Sequence, residues 1–483
     1  MNEQQPIIVW FRQDLRLTDN AALHHACQTD APIIFVFIHD PELAQKWTMG
    51  AAKQWWLHHS LASLAGNLKH YRTDLILRRG ATLEVLENLI NETNAQGLYF
   101  SRHYEPYQAG LENKINDHFK DILTIKRFKN NLLVEPETVL NKSNEPFKVF
   151  TPFYKAAMAT LQVADPLPAP NEIDAYTATI ASDDLDAWQL LPDETLWGAE
   201  FKKNWVPGEQ GAQINLDAFT MHALNKYNIL RNRPEFIGTS RISPHLHFGE
   251  ISPRQIWNDV IHSDKGSEPG NESYLKELMW REFSYYLLHY WPDLPDQSFK
   301  DSFADFPWQN DSELLNAWQH GKTGYPIVDA GMRELLQTGW MHNRVRMVVA
   351  SFLIKHLLID WRHGEAWFWD TLVDADLANN SASWQWVAGC GADAAPYFRI
   401  FNPQLQGEKF DPDGIYVKQW LPELQHLPNK FIHAPWGAPA PVLQEAGVEL
   451  GKDYPQPIVE HHFARERALA AFETIKINPN ASA

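Results

Sequence analysis

The sequence is poor in cysteine, in long apolar runs and in positive charge. Its two cysteines, Cys27 and Cys390, stand far apart, which suggests neither a disulfide framework nor a cysteine-ligated zinc site. No apolar run approaches the roughly 20 residues that span a bilayer, and the first residues lack the pattern of a secretory signal. These absences predict a cytoplasmic protein with no membrane segment and no metal site.

The charge balance works against nonspecific attraction to a polyanion. The chain has 42 Lys and Arg against 60 Asp and Glu, so its formal net charge is −18. A nucleic-acid partner would therefore require the basic residues to be concentrated on one face. The 20 tryptophans are the unusual feature of the composition, and core packing is the simplest explanation for most of them.

Hydrophobic periodicity divides the chain into an α/β part and a helical part. Short β-branched or aromatic runs alternate with helical stretches and predict a mostly parallel sheet. These runs lie at residues 7–11, 33–38, 75–77, 97–100 and 122–125. Prolines then gather, as in ADPLPAP, and indicate a connector. The predicted parts are an α/β domain over 1–132, a connector over 133–211, an all-α domain over 212–475 and a tail over 476–483.

Two glycine-containing motifs resemble phosphate sites but lack the required context. Gly389, Gly391 and Ala394 fit the G-x-G-x-x-[GA] pattern, yet the preceding NNSASWQW is not a buried strand. The GKT at 321–323 resembles the end of a P-loop, but Asn316 stands where that motif needs glycine. We reject both motifs and expect the first two glycines to let the chain pass close to a ligand pocket.

One predicted helix, at 274–291, carries an unusual polar stripe. Four of its residues fall at i, i+3, i+4 and i+7 and therefore share one face: Glu277, Trp280, Arg281 and Ser284. A carboxylate, an indole, a guanidinium and a hydroxyl are thus brought together. Taken alone, the stripe is also compatible with a solvated face that includes one tryptophan.

Polar clusters interrupt the apolar pattern elsewhere in the helical part. They are GTSRIS at 238–243, WMHNRVRM at 340–347 and LVDADLANNSASWQW at 372–386. Each cluster alone could serve to cap a helix, while hydroxyls and free N–H groups at a helix start also suit a phosphate. Together they predict a large buried polar ligand, because buried polar groups need partners.

The chain closely resembles class I DNA photolyases of the cyclobutane pyrimidine dimer type, in the photolyase/cryptochrome family. The resemblance covers nearly the whole length and rests on motifs that occur in order: VWFRQDLRLTDN, KVFTPFYKA, GTSRIS, LKELMWREF, GKTGYPIVDAGMRELLQTGWMHNRVRM, DADLANN, WQW, DAAPYFRIFNP and QGEKFD. It implies an N-terminal α/β antenna domain, a long connector and a C-terminal helical domain that holds a U-shaped FAD.

The resemblance also implies which residues bind FAD. They are Tyr227, Thr239, Ser240, Arg241, Ile242, Ser243, Tyr274, Arg281, Asn343, Arg346, Asp374, Ala375, Asp376 and Asn380. The family usually has tryptophan at the position of Tyr274. Arg346 and Asp374 resemble the ion pair beside the isoalloxazine, where a guanidinium favours an anionic reduced flavin. Asn380 matches the residue that faces flavin N5.

The implied activity is electron-transfer repair of a dimer flipped out of the DNA stack. The residues implied in catalysis are Glu277, Trp280, Asn380 and Met347. By resemblance, Trp280 and Trp386 form two aromatic walls around the dimer, and Glu277 binds its base edges. The residues that match DNA-contacting positions or lie beside them are Arg231, Glu277, Trp280, Arg281, Ser284, Asn343, Arg344, Trp386, Arg399, Gln406 and Lys409. DNA that contains pyrimidine dimers is the implied partner of a protein expected to be a monomer.

Three further tryptophans match the family's electron-transfer chain from surface to flavin: Trp308, Trp361 and Trp384. A second, antenna chromophore is also implied, either methenyltetrahydrofolate or a deazaflavin. The chain has Tyr107 and Gln108 where folate-binding members have Asn-Glu, and the folate-contacting Cys-Lys is absent around Pro295 and Asp296. A folate, a deazaflavin and an empty antenna pocket all remain open.

Three other functions would each require residues that this sequence lacks. A (6-4) photolyase would have histidines at the positions of Asn343 and Met347. A signalling cryptochrome of the plant type would have aspartate at the position of Asn380. A nucleotide-dependent enzyme of the α/β domain would need a phosphate motif, and none survives in this part of the chain.

Overall fold

A computed structural model describes residues 5–192, 200–263, 269–394 and 398–477, so the predicted tail lies outside the described residues from 478 onward. Five strands form one parallel sheet in the order β3-β2-β1-β4-β5. They are β1 (Ile7–Phe11), β2 (Ile33–His39), β3 (Leu75–Arg79), β4 (Gly97–Ser101) and β5 (Thr124–Phe128).

Helices cover both faces of this sheet, which explains why every residue of β1 is buried. Val9 lines the face covered by α1 (Ala21–Cys27) and α2 (Ala51–Lys69). Ile8 lines the opposite face, which α3 (Thr82–Thr93) and α4 (Pro106–Phe119) cover. The prediction of an α/β domain with a parallel sheet is therefore confirmed.

The fifth strand begins later than the sequence predicted. The amide groups of Ile122 and Leu123 donate to the carbonyl of Phe119 at 3.0 and 2.9 Å, so both residues belong to the turn that ends α4. Ile122 is also 66% exposed. The apolar run at 122–125 therefore misplaced the start of β5, because half of it closes the preceding helix.

The connector contains a helix that the proline-rich composition did not reveal. Helix α5 (Phe150–Thr160) forms within it, before the extended stretch at 161–170. Farther along, Ala175 pairs with Ile33 and the amide of Asp183 donates to the carbonyl of Leu77 at 2.8 Å. The connector thus lies along the edge of the sheet.

Fifteen further helices follow in the described residues, and they build the helical part. They are α6 (Phe201–Asn204), α7 (Glu209–His222), α8 (Tyr227–Leu230), α9 (Ser243–Phe248), α10 (Pro253–Ile261), α11 (Pro269–Tyr290), α12 (Ser312–Gln319), α13 (Pro326–Thr338), α14 (Asn343–Ser351), α15 (Trp361–Thr371), α16 (Leu377–Ala388), α17 (Pro403–Phe410), α18 (Ile415–Trp420), α19 (Ala440–Ala446) and α20 (His461–Ile477). A π-helical turn (Phe352–His356) follows α14. Among the described residues, none of these helices is long and apolar enough to cross a membrane.

Buried polar contacts join the two parts of the molecule. Arg16 is buried, and its guanidinium donates to the carbonyl oxygens of Gly249 and Asn130 at 2.8 and 3.2 Å. The indole N–H of Trp56 donates to Glu250 Oε1 at 2.9 Å. Because such groups are costly to bury without partners, these bonds fix the α/β part against the helical part.

Candidate active site

The polar stripe of α11 lies against other parts of the protein and is not a solvated face. Trp280 is half-buried, and its ring stacks on Phe150 of α5 at a centroid distance of 3.6 Å and an angle of 7°. Arg281 donates to the carbonyl of Asn131 at 2.9 Å, and buried Ser284 donates to the carbonyl of Trp280 at 3.1 Å. The hydroxyl of Ser284 therefore bonds within its own helix.

Glu277 forms an ion pair with Arg231, which the sequence analysis assigned to DNA phosphates. Both side chains are about one-quarter exposed, at 29% and 24%. The carboxylate next to Trp280 is thus held in place by a cation. Burial opposes ionisation of Arg231, but the adjacent Glu277 raises the pKa of this guanidinium above its ordinary value.

Aromatic rings and a hydroxyl meet where the sequence predicted FAD contacts. Tyr227 and Tyr274 are buried, and their rings lie 5.1 Å apart at 83°. Burial raises the pKa of the Tyr274 hydroxyl to about 12, and the nearby side chain of Ser240 opposes the rise. The tyrosine that replaces the usual tryptophan therefore adds a polar contact to the hydroxyl-rich turn.

The GTSRIS turn separates the side chain of Arg241 from the neighbouring hydroxyls. Arg241 adopts a left-handed φ of 52°, and its guanidinium lies over the ring of Trp340 at 4.9 Å. Ile242 is buried in the helical core, while Thr239 and Ser240 are half-buried. The structure thus places Arg241 against aromatic protein side chains.

Asp374 lies at the centre of the predicted flavin side. Its Oδ2 accepts from Arg346 Nη2 at 2.9 Å and from Ser243 Oγ at 2.6 Å. Its Oδ1 is buried and has no hydrogen-bond partner among the residues that the structure describes. A buried carboxylate oxygen of this kind needs a donor, and a hydroxyl or amide of a bound polar cofactor fits that requirement.

Asp376 has enough protein partners to be a structural anchor. It caps α16 by accepting from the amide of Asn379 at 2.9 Å, and it also accepts from the hydroxyl of Tyr285. His247 Nδ1 lies 3.5 Å from its Oδ2. Although burial opposes ionisation, the nearby imidazole of His247, the guanidinium of Arg281 and the hydroxyl of Tyr285 hold the pKa of Asp376 well below its usual range. Ala375, between the two aspartates, is buried.

Asn380 is fixed by a carbonyl group on the neighbouring helix. It is buried on α16, and its Nδ2 donates to the backbone oxygen of Glu365 on α15 at 3.0 Å. The carboxyl of Glu365 in turn accepts from Ser381 Oγ at 2.5 Å. With Nδ2 bound in this way, the amide has a defined orientation on the first turn of α16.

The three predicted electron-transfer tryptophans differ in burial. Trp384 and Trp361 are buried, whereas Trp308 is half-buried. Trp384 packs on Phe368 at 5.0 Å and on Trp318 at 6.2 Å. Trp318 is fully buried and was not predicted. Its sequence context, LLNAWQ, is an ordinary amphipathic helix with no feature that distinguishes it from a core residue.

Basic side chains gather around His342 despite the net negative charge of the chain. Burial and four nearby guanidiniums, those of Arg344, Arg346, Arg241 and Arg231, lower the pKa of His342 to about 3. Arg344 lies over the ring of Phe410 at 4.6 Å, and Lys409 over the same ring at 5.3 Å. The basic side chains that DNA binding requires of this chain are therefore close together, although Arg231 and Arg346 are paired with Glu277 and Asp374.

The remaining predicted DNA positions lie near the surface. Asn343, Arg399 and Lys409 are exposed, while Met347, Trp386 and Gln406 are half-buried. Met347 Sδ lies 3.6 Å from Arg344 Nη1, so these two side chains of α14 are in contact. Trp386 lies on the last turn of α16, two residues beyond Trp384 and therefore on the other side of that helix.

The structure gives a different reason for the glycines at 389 and 391 from the one predicted. Gly389 ends α16 with a left-handed φ of 95°, which a residue with a Cβ rarely adopts. A Cβ at Gly391 would lie 2.8 Å from the carbonyl carbon of Gln385. Both glycines therefore serve the helix end and its packing on the protein backbone, and a helix precedes them where a Rossmann turn needs a strand.

The antenna positions weighed in the sequence have protein partners. The hydroxyl of Tyr107 donates to Glu105 Oε2 at 2.6 Å, and Gln108 accepts from Arg12. Asp296 forms an ion pair with Lys46, and its carbonyl accepts from Arg362 Nε at 2.9 Å. No group of three His, Cys, Asp or Glu that could hold a metal ion occurs within the described ranges.

Comparisons with known proteins agree with this arrangement. The family described as FAD binding domain of DNA photolyase matches residues 274–474, and the family described as DNA photolyase matches residues 7–171. A deoxyribodipyrimidine photo-lyase of Agrobacterium fabrum is 48% identical over 477 residues, covering 98% of both chains. Cryptochrome-1 of Arabidopsis thaliana is 38% identical, over 95% of this chain and 69% of its own length.

A solved structure has the same fold over the whole chain. It is titled a bacterial class III photolyase from Agrobacterium tumefaciens, with a TM-score of 0.95, 47% identity and 99% of each chain covered. The fold and the site thus define an FAD-binding flavoprotein with an α/β domain and a helical domain. The chain belongs to the photolyase/cryptochrome family.

Proposed function

We propose that this protein is a deoxyribodipyrimidine photo-lyase that uses light and reduced FAD to split cyclobutane pyrimidine dimers in DNA. The observation that carries the proposal is the arrangement of Trp280 and Glu277 on α11, with Arg231 paired to the carboxylate. The aromatic face can stack on the flat bases of the lesion, and the fixed carboxylate can bind their polar edges. The basic cluster beside them can bind the phosphate backbone.

The lesion side would be formed by groups from three helices. Trp280 offers the ring face that Phe150 leaves open, and Trp386 at the end of α16 supplies a second aromatic surface. Glu277 accepts hydrogen bonds from the base edges, and Met347 and Asn343 of α14 contribute further contacts. A dimer is distorted and therefore costs less to extrude from the stack than normal bases do.

The cofactor side would be formed by Tyr227, Tyr274, the turn at 239–243, Asp374 and Asn380. Reduced FAD, when bound and excited by light, supplies the electron that opens the cyclobutane ring and receives it back. Arg346, held by Asp374, places a positive charge that stabilises an anionic reduced ring. Asn380, oriented by the carbonyl of Glu365, offers a neutral amide at N5 and adds no negative charge.

Two further parts of the proposal concern electron supply and DNA affinity. Trp308, Trp361 and Trp384 would carry electrons from the surface to the flavin, starting at Trp308, the one of the three that is only half-buried. Arg344, Arg399, Gln406 and Lys409 would contact the DNA backbone, which gives salt-dependent affinity without sequence preference.

Several finer assignments stay predictions from the sequence. Class I is one of them, because a structure titled a class III photolyase matches the chain over its full length. The antenna chromophore, the monomeric state and the cytoplasmic location are the others. An absorption spectrum of the purified protein and its elution volume in size-exclusion chromatography test the antenna and the oligomeric state.

The proposal is tested with oligonucleotides that carry a thymine dimer, a (6-4) photoproduct or no lesion. We expect the protein to bind and repair the dimer alone. Trp280→Ala should weaken dimer binding about 5- to 150-fold and leave FAD bound, since stacking on a base contributes about 1–3 kcal/mol. Trp291→Ala, eleven residues farther along, is the matched control and should bind the dimer normally.

A cryptochrome-like signalling function is the second candidate, because the chain is 38% identical to a plant cryptochrome. The same samples separate the two functions. A protein whose flavin is photoreduced normally, but which binds dimer-containing DNA no better than undamaged DNA, would be a photoreceptor and not a repair enzyme.

A further inference from the structure

Helix α5 packs against Trp280, on the ring face opposite to the one that would contact the lesion. Phe150, its first residue, is buried at 2% exposure and stacks in parallel on Trp280 with 3.6 Å between ring centroids. Phe283 meets the same indole at 6.1 Å and 72°, which is an edge contact. Since a flat ring has two faces and Phe150 covers one, any base that stacks on Trp280 must use the other.

The position of Phe150 is itself fixed on several sides. Its ring packs against Phe283 at 5.8 Å and 71° and against Tyr154 at 5.7 Å and 25°. A buried aromatic group held in this way restricts the tilt of the ring stacked on it, because close-packed side chains have few alternative rotamers. Trp280 is therefore oriented by α5 as well as by its own helix.

The backbone of Phe150 makes a second contact, with the chain that follows α16. Its amide lies near the carboxylate of Asp393, seven residues beyond Trp386, and favours the ionised form of that carboxyl, which lowers its pKa. Burial raises the pKa of Asp393, and the nearby amide of Phe150 opposes the rise. Asp393 adopts a left-handed φ of 55°, a backbone conformation that is uncommon for residues other than glycine.

We propose that Phe150 is a positioning residue for lesion binding, which acts through the ring of Trp280 and is supported by its contact with Asp393 in the segment after Trp386. The inference rests on the proposed function, because it assigns Phe150 to the dimer site. Phe150 touches neither substrate nor cofactor. It fixes the plane of one aromatic wall and brings the N-terminus of α5 next to the chain that follows α16, the helix that carries the other wall.

The inference is tested by the affinity of the FAD-loaded protein for an oligonucleotide with one thymine dimer and for its undamaged counterpart. Phe150→Leu keeps an apolar side chain but removes the flat stack. An aromatic pair contributes about 0.5–1.5 kcal/mol, so dimer affinity should fall about 2- to 13-fold, while FAD content and affinity for undamaged DNA stay the same. Phe150→Tyr keeps the ring and should retain most of the dimer affinity.

Phe153→Leu is the matched control. Phe153 lies one turn later on α5, is 1% exposed and packs on Phe283 and Tyr286. It should lower the melting temperature as Phe150→Leu does, with no change in dimer affinity. Equal losses of dimer affinity in both variants would overturn the proposal, because a general weakening of α5 would then explain the effect.

A double mutant shows whether Phe150 acts through Trp280. In the Trp280→Ala background, Phe150→Leu should cause no further loss of dimer affinity, and an undiminished loss there would contradict the proposal. Asp393→Gly provides a variant outside the core, since glycine accepts the left-handed φ and removes the carboxylate. It should lower dimer affinity about twofold or more with FAD retained, and wild-type affinity would count against the role of the Asp393 contact.

The failure of the proposed function gives a distinct result. If the wild-type protein shows no preference for the dimer, repair and the inference both fall. If the wild type prefers the dimer and Phe150→Leu binds it equally well, the repair function stands and the role of Phe150 is overturned.

Discussion

At the scale of single residues, the arrangement around Asp374 depends on complementary charges in a buried place. Its carboxylate has Arg346 and Ser243 on one oxygen and no described partner on the other. Such a group is stable only when its acceptors are satisfied and its charge is paired. One oxygen of this carboxylate is therefore available to accept a hydrogen bond from a polar ligand. The ion pair also links α14 to the chain segment before α16.

Removing the cation from this pair should reduce cofactor binding. Arg346→Gln leaves the buried carboxylate of Asp374 without its cationic donor, at a cost of about 1–3 kcal/mol, so the purified variant should contain less FAD. The ratio of flavin to protein absorbance measures the loss. Arg333→Gln removes a guanidinium of similar exposure, 24% against 22%, from its ion pair with Glu423 and should retain FAD fully. Equal flavin content in both variants would speak against the assigned role of Arg346.

Glu365 should make stability depend on pH. Burial raises the pKa of this carboxyl from 4.5 to about 8, so the native state binds a proton that the unfolded chain releases. Its contribution to stability is therefore full below pH 4.5 and is lost as pH rises towards 8, by up to about 1.4 kcal/mol per unit. Glu365→Gln, which cannot ionise, should flatten this part of the stability profile.

Urea unfolding of the wild type and of Glu365→Gln between pH 5 and 8 checks this expectation. Burial also raises the pKa of Glu282 and of Glu334 to about 7. Because these two groups also contribute to the pH dependence, the informative quantity is the difference between the two proteins in the slope of unfolding free energy against pH. Identical slopes would show that Glu365 is ionised in the folded protein.

At the scale of elements, two lysines hold the end of α16, the helix that carries Asn380, Trp384 and Trp386. Lys355 is buried, and its Nζ donates to the carbonyl of Ala388 at 3.0 Å. Lys300 Nζ donates to the carbonyl of Gly389 at 3.1 Å. The last carbonyls of a helix have no partner within the helix, and these amines supply one.

Lys355→Met should therefore loosen this helix end. The variant keeps the apolar stem but leaves the carbonyl of Ala388 unsatisfied, at a cost of about 1–3 kcal/mol in unfolding free energy. Thermal unfolding measures the effect. Lys452→Met, in an exposed pair with Glu449, should change stability by less than about 0.5 kcal/mol. A Lys355→Met variant as stable as this control would show that the carbonyl finds another donor.

Elements differ in how far the sequence determined them. The first four strands were predicted within two residues at each end, because a short run of β-branched or aromatic residues is a local signal. Helix α5 was missed within a proline-rich connector, since its aromatic residues gain their energy from α11, 130 residues farther along. The same reason hid Phe150 and Trp318, whose roles arise only from contacts that folding creates.

At the scale of the whole molecule, the chain combines a strong net negative charge with a local group of guanidiniums. Arg231, Arg241, Arg344 and Arg346 all act on His342, whereas the formal net charge is −18. From the composition alone we could infer only that DNA binding would require the basic residues to be concentrated in one place. The residues that form it come from α14 and from the chain after α8, so their proximity depends on the packing of the helical part.

DNA affinity should depend on salt in proportion to the number of phosphates bound. We expect the affinity for dimer-containing DNA to fall linearly with salt on logarithmic axes, and Arg344→Gln to lower the slope by about one. Titrations at several salt concentrations measure it. Arg333→Gln, whose cation is paired with Glu423, should leave the slope unchanged. A salt-independent affinity in the wild type would contradict a phosphate-binding surface.

The most direct test of light-driven repair is a single-turnover experiment on the reduced holoenzyme. An oligonucleotide with one thymine dimer is bound to excess protein, illuminated, and analysed for restored thymines, with an identical sample kept in the dark. We predict that the dimer is converted to two thymines in the light and remains intact in the dark. An intact dimer in the illuminated sample, with the flavin reduced and the DNA bound, would contradict the proposed function.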